Sequence, residues 1–244
     1  MNSALGKRIL ATVRDADFAH AGEAEAIELA LAPIVKDPQR TLLDAGCGRG
    51  GTAAYVQGAG WGRVSGFDID ATSIEEALGR YPELDLRVAD AASADVVFGT
   101  RFDLLYSFNA FYAFPDQAAA LRALRRLARP RGRLVLFDYV DRGGFAQSAF
   151  GRRPDTDHWR PLRLESAPAA LAAAGWRLED VVVMHAEYER WYAAFVARIE
   201  SKRAEIVALA GDAAFAPVHE LYRMMYEAVR AGVLGGATLH ASAA

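Results

Sequence analysis

The chain is predicted to be an α/β protein, with a mostly parallel sheet covered by helices on both faces. Three observations predict this. From residue 41 onward, short apolar runs alternate with helical patterns, as parallel strands joined by crossover helices require. The first run passes into "LLDAGCGRGGTA" (42–53), where glycines crowd a strand-to-helix turn. The first three strand candidates end in or beside an acid, Asp44, Asp68 and Asp90, so these three acids fall on one rim of the sheet.

The elements follow in order. Residues 4–36 read as mostly helical, and in "EAEAIELALAPIV" Ala26, Ile27, Ala30 and Leu31 share a face before Pro33 interrupts. "KDPQR" is a turn. Strands are expected at 41–45, 63–68, 85–89, 102–107 and 133–139, with helices at about 50–59, 72–80 and 116–128 between them. "DIDATSIEEA" offers two overlapping capping boxes, Thr72 with Glu75 and Ser73 with Glu76. "ARPRGR" ends a helix just before the strand "RLVLFDYV". Residues 141–163, rich in Gly, Pro and charge, read as a loop or lid. A short helix at about 166–174 has Gly175 at its C-cap, and "WRLEDVVVMH" is a sixth strand. Two helices then follow. Tyr188, Trp191, Tyr192, Phe195 and Ile199 share a face of the first; Val218, Leu221, Tyr222, Met225 and Val229 share one of the second, with Pro217 near its start. "GVLGGATLHA" is a closing strand.

Composition bounds the function. A length of 244 residues with 52% hydrophobic and 24% charged suits one folded domain spanning 1–244. Within it lie an N-terminal helical segment (1–38), a ligand-binding core (39–140), the loop or lid (141–163) and a helical insertion (186–231). The net charge of -3 gives no reason to expect nucleic acid or an anionic membrane as the main partner. Cys47 is the single cysteine, which excludes an internal disulfide and fits a reducing cytoplasm. The N-terminus lacks a signal-peptide pattern, and no apolar run is long enough to span a bilayer, so a cytoplasmic location is expected.

Gly46, Gly48 and Gly51 satisfy G-x-G-x-x-G, a dinucleotide fingerprint that is weak alone. The acids argue for a different ligand. A buried carboxylate at Asp44 would repel a pyrophosphate over this helix start and favour a cation. Asp68, about twenty residues downstream, can accept both hydroxyls of a ribose. Asp90 can accept from an adenine amine, with Ala89 and Ala91 beside it. A nucleoside with a cationic tail and no phosphate satisfies all three, and S-adenosylmethionine is that molecule.

The same stretches, with "GFDID", "VAD" and "FDLLYSFNAFYAFPDQAAALRALRRLARPRGRLVLFDYV", resemble the successive motifs of the class I S-adenosylmethionine-dependent methyltransferases over residues 40–140. That resemblance implies a Rossmann-like seven-stranded sheet whose last strand is antiparallel, with a helical lid insertion. It implies S-adenosylmethionine as cofactor and S-adenosylhomocysteine as product. It also assigns residues. Gly46 and Gly48 form the turn under the methionine portion and ribose, Asp44 faces the amino-acid end, and Cys47 lies in the turn. Asp68 takes the ribose, Ile69 packs beside the adenine, Asp90 and Ala91 receive it, and Ser107 lies beneath the methionine portion. "DFAHAGEAEA" is similar to the glycine-containing segment that closes over the cofactor in sarcosine, dimethylglycine and phosphoethanolamine N-methyltransferases, which would bring His20 and Gly22 to the methionine end. The phosphobase enzymes' acid and histidine are replaced here by Asn109 and Ala113, which argues against a phosphoethanolamine-like substrate.

The reading is therefore methyl transfer to a nitrogen or oxygen of a small molecule. The cofactor carries the hard chemistry, and the protein aligns the nucleophile and excludes water. A desolvated aromatic site keeps an amine neutral, whereas a hydroxyl more often needs a base. His20, His158 and His185 are candidate bases, and His20 and Tyr112 the catalytic candidates. Asn109, Tyr112, Trp159, Tyr188, Trp191 and Tyr192 are the candidate substrate residues, although an aromatic stripe at helical spacing is more often core. The arginines of "LRALRRLARPRGR" read as a solvated helix face, and no metal is expected at "DTDHW". A nicotinamide-dependent oxidoreductase and a noncatalytic cofactor-binding protein are the competing readings. The N-terminal helix and the helical insertion each offer a homodimer face.

Overall fold

The computed structural model describes residues 4–244. Two helices, α1 (Ala4–Arg14) and α2 (Glu23–Leu31), precede the sheet. The first half then alternates: β1 (Thr41–Ala45), α3 (Gly51–Gly58), β2 (Arg63–Asp68), α4 (Ala71–Arg80), β3 (Asp85–Val88), α5 (Ala94–Val97) and β4 (Phe102–Phe108). The second half continues with α6 (Gln117–Leu127), β5 (Ala128–Asp141), α7 (Ala167–Ala173) and β6 (Trp176–Val183). Three helices, α8 (His185–Ser201), α9 (Arg203–Ala210) and α10 (Asp212–Arg230), lead to β7 (Leu234–Ala243).

The seven strands form one sheet in the order β3-β2-β1-β4-β5-β7-β6. β7 runs antiparallel to both neighbours, and the other pairings are parallel. The central strands read as unbroken apolar runs because both sheet faces are covered. Leu42 and Leu104 enter one hydrophobic cluster; their chain neighbours Leu43 and Leu105 enter the other. With period-two strands, this assigns successive residues to opposite layers.

Four local expectations are corrected. α4 starts at Ala71 with Asp70 as N-cap, so neither Thr72 nor Ser73 caps it; the Ser73 hydroxyl donates to Asp70 Oδ2. β5 begins at Ala128, directly after α6, with an irregular register between Phe102 and Leu104 on its neighbour. The insertion holds three helices, because Gly211 at φ 85 breaks α9 from α10. Pro217 consequently lies inside α10 rather than at its start.

The glycine pair in β7 marks where the insertion meets the sheet. A Cβ on Gly236 would lie 2.0 Å from the Tyr188 ring, and one on Gly235 2.3 Å from His185. α8 packs directly on the strand because these side chains are missing. Gly236→Ala should therefore lower stability by about 1–3 kcal/mol through overpacking. Gly58→Ala, where a new methyl meets nothing within 4 Å, should be neutral or stabilising. Thermal unfolding of the two variants beside the parent chain checks this.

Candidate functional site

β1 delivers Asp44 and then the turn. Gly46 takes φ +82, and a Cβ there would lie 2.5 Å from Ala110 Cβ, so only glycine fits. The turn is tied to β2: the Gly46 and Cys47 amides both donate to Phe67 O at 2.8 Å. The Gly48 amide donates to Asp68 Oδ2 at 2.8 Å. Asp68 Oδ1 accepts from the Asp70 amide at 2.9 Å and from Lys7 Nζ at 3.1 Å. One carboxylate thus links the turn, the start of α4 and the N-terminal helix.

A second acid anchors the segment between α1 and α2. Asp17 is buried and accepts from Arg49 Nε at 2.9 Å, Arg80 Nη1 at 2.7 Å and the Tyr81 hydroxyl at 3.0 Å. Arg49 belongs to the glycine turn itself and also pairs with Glu76. A buried charge needs such pairing.

A cavity opens over the C-terminal ends of β1–β4. Of the expected residues, Gly46, Gly48, Asp68, Ile69, Asp90, Ala91, Asn109, Tyr112 and Trp159 line it. Ile69 is 67% exposed, which leaves its side chain free to cover a ligand. Asp90 holds the following turn through the Ala92 amide at 2.8 Å.

Asp44, Cys47 and Ser107 do not line the cavity but lie against its floor. Ser107 donates to Ala45 O at 2.9 Å and is fully buried, so its role is to tie β4 to the end of β1. Burial pushes the Cys47 thiol up, with Asp44 and Asp68 adding to it, so the thiol stays protonated. Asp44 is raised well above the usual carboxylate range by burial first and by the Asp68 charge second, with the Tyr106 phenol opposing. Its Oδ2 nevertheless lacks a well-aligned hydrogen bond. A glycine cradle and two acids, Asp68 and Asp90, are the groups that a cationic nucleoside would meet, with Asp44 buried beneath them. The residues fit S-adenosylmethionine: Gly46, Gly48, Asp68 and Asp90 all line the cavity.

His20, Tyr188, Trp191 and Tyr192 are not brought to the cavity. His20 packs among Phe18, Phe108 and Phe137, and burial lowers its pKa to about 3. Gly22 faces Trp191, whose indole lies where a Cβ would be, and that indole donates to Glu25 Oε2 at 2.9 Å. The Tyr188 hydroxyl accepts from Asn109 Nδ2 at 2.9 Å, while Asn109 Oδ1 accepts from the Ala21 amide at 3.1 Å. Tyr192 shares a hydrogen bond with the Tyr139 hydroxyl. The helical stripe is a supporting row that fixes Asn109 and Tyr139, which do face the cavity.

The far end of the cavity is aromatic. Tyr112 lies against Trp159 at 4.3 Å and Tyr139 at 4.9 Å, and Leu221, Tyr222 and Met225 complete the wall from α10. Burial raises Tyr139 well above its usual range and Tyr222 to about 12, so both phenols stay neutral. Asp138, behind them, accepts from the Tyr139 and Tyr112 amides, and burial raises it to about 7. Sequence reasoning missed Lys7, Tyr139, Leu221, Tyr222 and Met225 as lining residues. Tyr139 had one signal, a hydroxyl beside Asp138 at the end of an apolar strand.

Two predictions follow from these contacts. A carboxylate offers about four acceptor positions; Lys7, Asp70 and Gly48 already use three on Asp68. A ribose that engages both oxygens must displace Lys7. Lys7→Met should therefore tighten S-adenosylhomocysteine binding several-fold. It should also remove the improvement with added salt expected of the parent chain, as calorimetry at two ionic strengths would show. His20 is held neutral when folded but protonates when unfolded, so its contribution is present above pH 6.5 and lost as pH falls toward 3. Relative to His20→Phe, the parent chain should lose about 3 kcal/mol between pH 7.5 and pH 4.5 in urea unfolding.

Comparison with known proteins agrees with this architecture. Two relatives illustrate the sequence matches. Phosphoethanolamine N-methyltransferase 1 of Triticum aestivum is 29% identical over 113 residues, 45% of this chain and 22% of that protein. Nocamycin O-methyltransferase of Saccharothrix syringae is 32% identical over 161 residues, 61% of this chain and 54% of that protein. The chain thus spans between about a fifth and about half of the length of these relatives. Among solved structures, Haemonchus contortus phosphoethanolamine N-methyltransferase 2 with S-adenosyl-L-methionine superposes with a TM-score of 0.85 at 17% identity, covering 98% of this chain and 56% of that one. A cyclopropane synthase from Mycobacterium tuberculosis gives 0.81 at 16%, covering 95% and 93%. At such identities the structures share the fold. The family model described as "Methyltransferase domain" matches residues 18–181, more than half of the chain. A match of that extent settles the family, and the chain belongs to the class I S-adenosylmethionine-dependent methyltransferases.

Proposed function

We propose that the chain methylates a nitrogen or an oxygen of a small molecule bound at the aromatic end of the cavity. The observation that carries this reading is the juxtaposition of two unlike ends in one cavity: the glycine turn with its acids, and the wall of Tyr112, Tyr139, Trp159 and Tyr222. S-adenosylmethionine, when bound, supplies a methyl group made electrophilic by its sulfonium.

The chain's own work is positional. Asp68 and Asp90 hold the nucleoside, and the glycine turn lets it approach the backbone closely. The aromatic wall excludes water and takes the flat or apolar part of the acceptor. An amine entering so apolar a space is favoured in its neutral, nucleophilic form. For a hydroxyl acceptor, His158 is the histidine that lines the cavity, and burial lowers its pKa, leaving the neutral ring that a base requires. Asn109, at φ 45 and tied to Ala21 and Tyr188, positions the backbone between the two ends. The relatives named for N- and O-methyl transfer support both nucleophiles. The loss of the phosphobase acid and histidine, at Asn109 and Ala113, supports an acceptor other than a phosphoamine.

Calorimetric titration with S-adenosylmethionine, S-adenosylhomocysteine and NAD tests the donor half. Binding of the first two alone, weakened about tenfold or more in Asp68→Ala, is expected. A turnover screen of small amines and phenols tests the acceptor half; NAD binding, or turnover only on protein or RNA, would overturn the reading.

A further inference from the structure

A second cavity of about 550 Å³ lies on the other side of Trp159, between α6, α7 and the 141–163 segment. It shares two wall residues with the first cavity, Thr156 and Trp159. The indole is the partition. Toward the first cavity it meets Tyr112 and Tyr139, with ring centroids at 4.3 and 4.9 Å. Toward the second it stacks on Phe145, at 6.2 Å and 20° between planes. The second cavity is walled by apolar side chains such as Phe111, Leu121, Leu136 and Leu171. Its ionised groups come in opposite signs, Asp141 and Asp157 with Arg160 and Arg163, and Arg163 pairs with Asp141 at 3.4 Å. It therefore suits an uncharged apolar group better than an ion.

Size supports a link between the two spaces. The first cavity encloses about 250 Å³, below the roughly 300–1,000 Å³ typical of ligand pockets. It must hold the nucleoside donor and still admit an acceptor. Resting on the methyl-transfer reading above, we infer that the acceptor is an amphiphile: its nucleophilic head enters the first cavity, and its apolar limb passes Trp159 into the second.

The test uses 4-n-alkylphenols, from methyl to heptyl, titrated into the S-adenosylhomocysteine-saturated protein. Affinity should rise about two- to fourfold per methylene, as apolar burial gives. Ala170 and Ala118 stand exposed at the mouth of the second cavity, on α7 and α6. Ala170→Phe, and separately Ala118→Phe, should abolish the chain-length gain while S-adenosylhomocysteine affinity stays unchanged. A flat series in the parent chain, or a gain that survives both plugs, would overturn the inference and leave the donor reading intact. Failure of the parent chain to bind S-adenosylhomocysteine would overturn the methyl-transfer reading and this inference with it.

Discussion

The Asp68 carboxylate is the constraint on which the rest of the site depends. It accepts from the glycine turn, from the first turn of α4 and from α1, and so joins three separate segments. A charge-assisted bond to a backbone amide is stronger than a neutral one, and here it fixes a loop whose glycines would otherwise leave it free. In the proposed reading the same group also takes the ribose, so folding and binding would draw on one carboxylate.

Burial governs the other end. Burial pushes Tyr139 and Tyr222 above the ordinary phenol range, and their hydroxyls are spent on neighbours or left as weak dipoles. What they give the cavity is shape and dryness. Behind them, Tyr188 and Tyr192 hold the lining residues Asn109 and Tyr139 by hydrogen bonds, and Trp191 is itself held by Glu25. Such a supporting row fixes rotamers without touching the ligand, which is how a site gains precision from residues outside it.

The cofactor half was legible because its signals are local. Glycines in a turn and acids at strand ends lie within a few residues of each other, and strand alternation puts Asp44, Asp68 and Asp90 on one rim. Lys7 was not legible, because its partner is 61 residues away and nothing in "ALGKRIL" distinguishes it from a solvated lysine. The same is true of Asp17, clamped by arginines from two other elements. The insertion misled for a different reason. Helical periodicity identifies a buried face but not what lies against it, so it does not separate a ligand contact from the packing on the sheet that Tyr188, Trp191 and Tyr192 make. His20 followed the same logic: a titratable side chain in a promising segment, turned into a cluster of rings.

The position of β7 bears on how the chain assembles. β6 pairs only with β7, and β7 is the last of the seven strands in sequence. Until it arrives, β6 has no partner and β5 presents an open edge, the surface most prone to wrong pairing. The strands of the donor half, β1–β4, complete their own pairings within the first 108 residues. Order of synthesis thus divides the molecule along its chemistry. The half that carries the glycine turn and its acids is able to form early, while Tyr139 on β5 and Tyr222 on α10 wait for the closing strand.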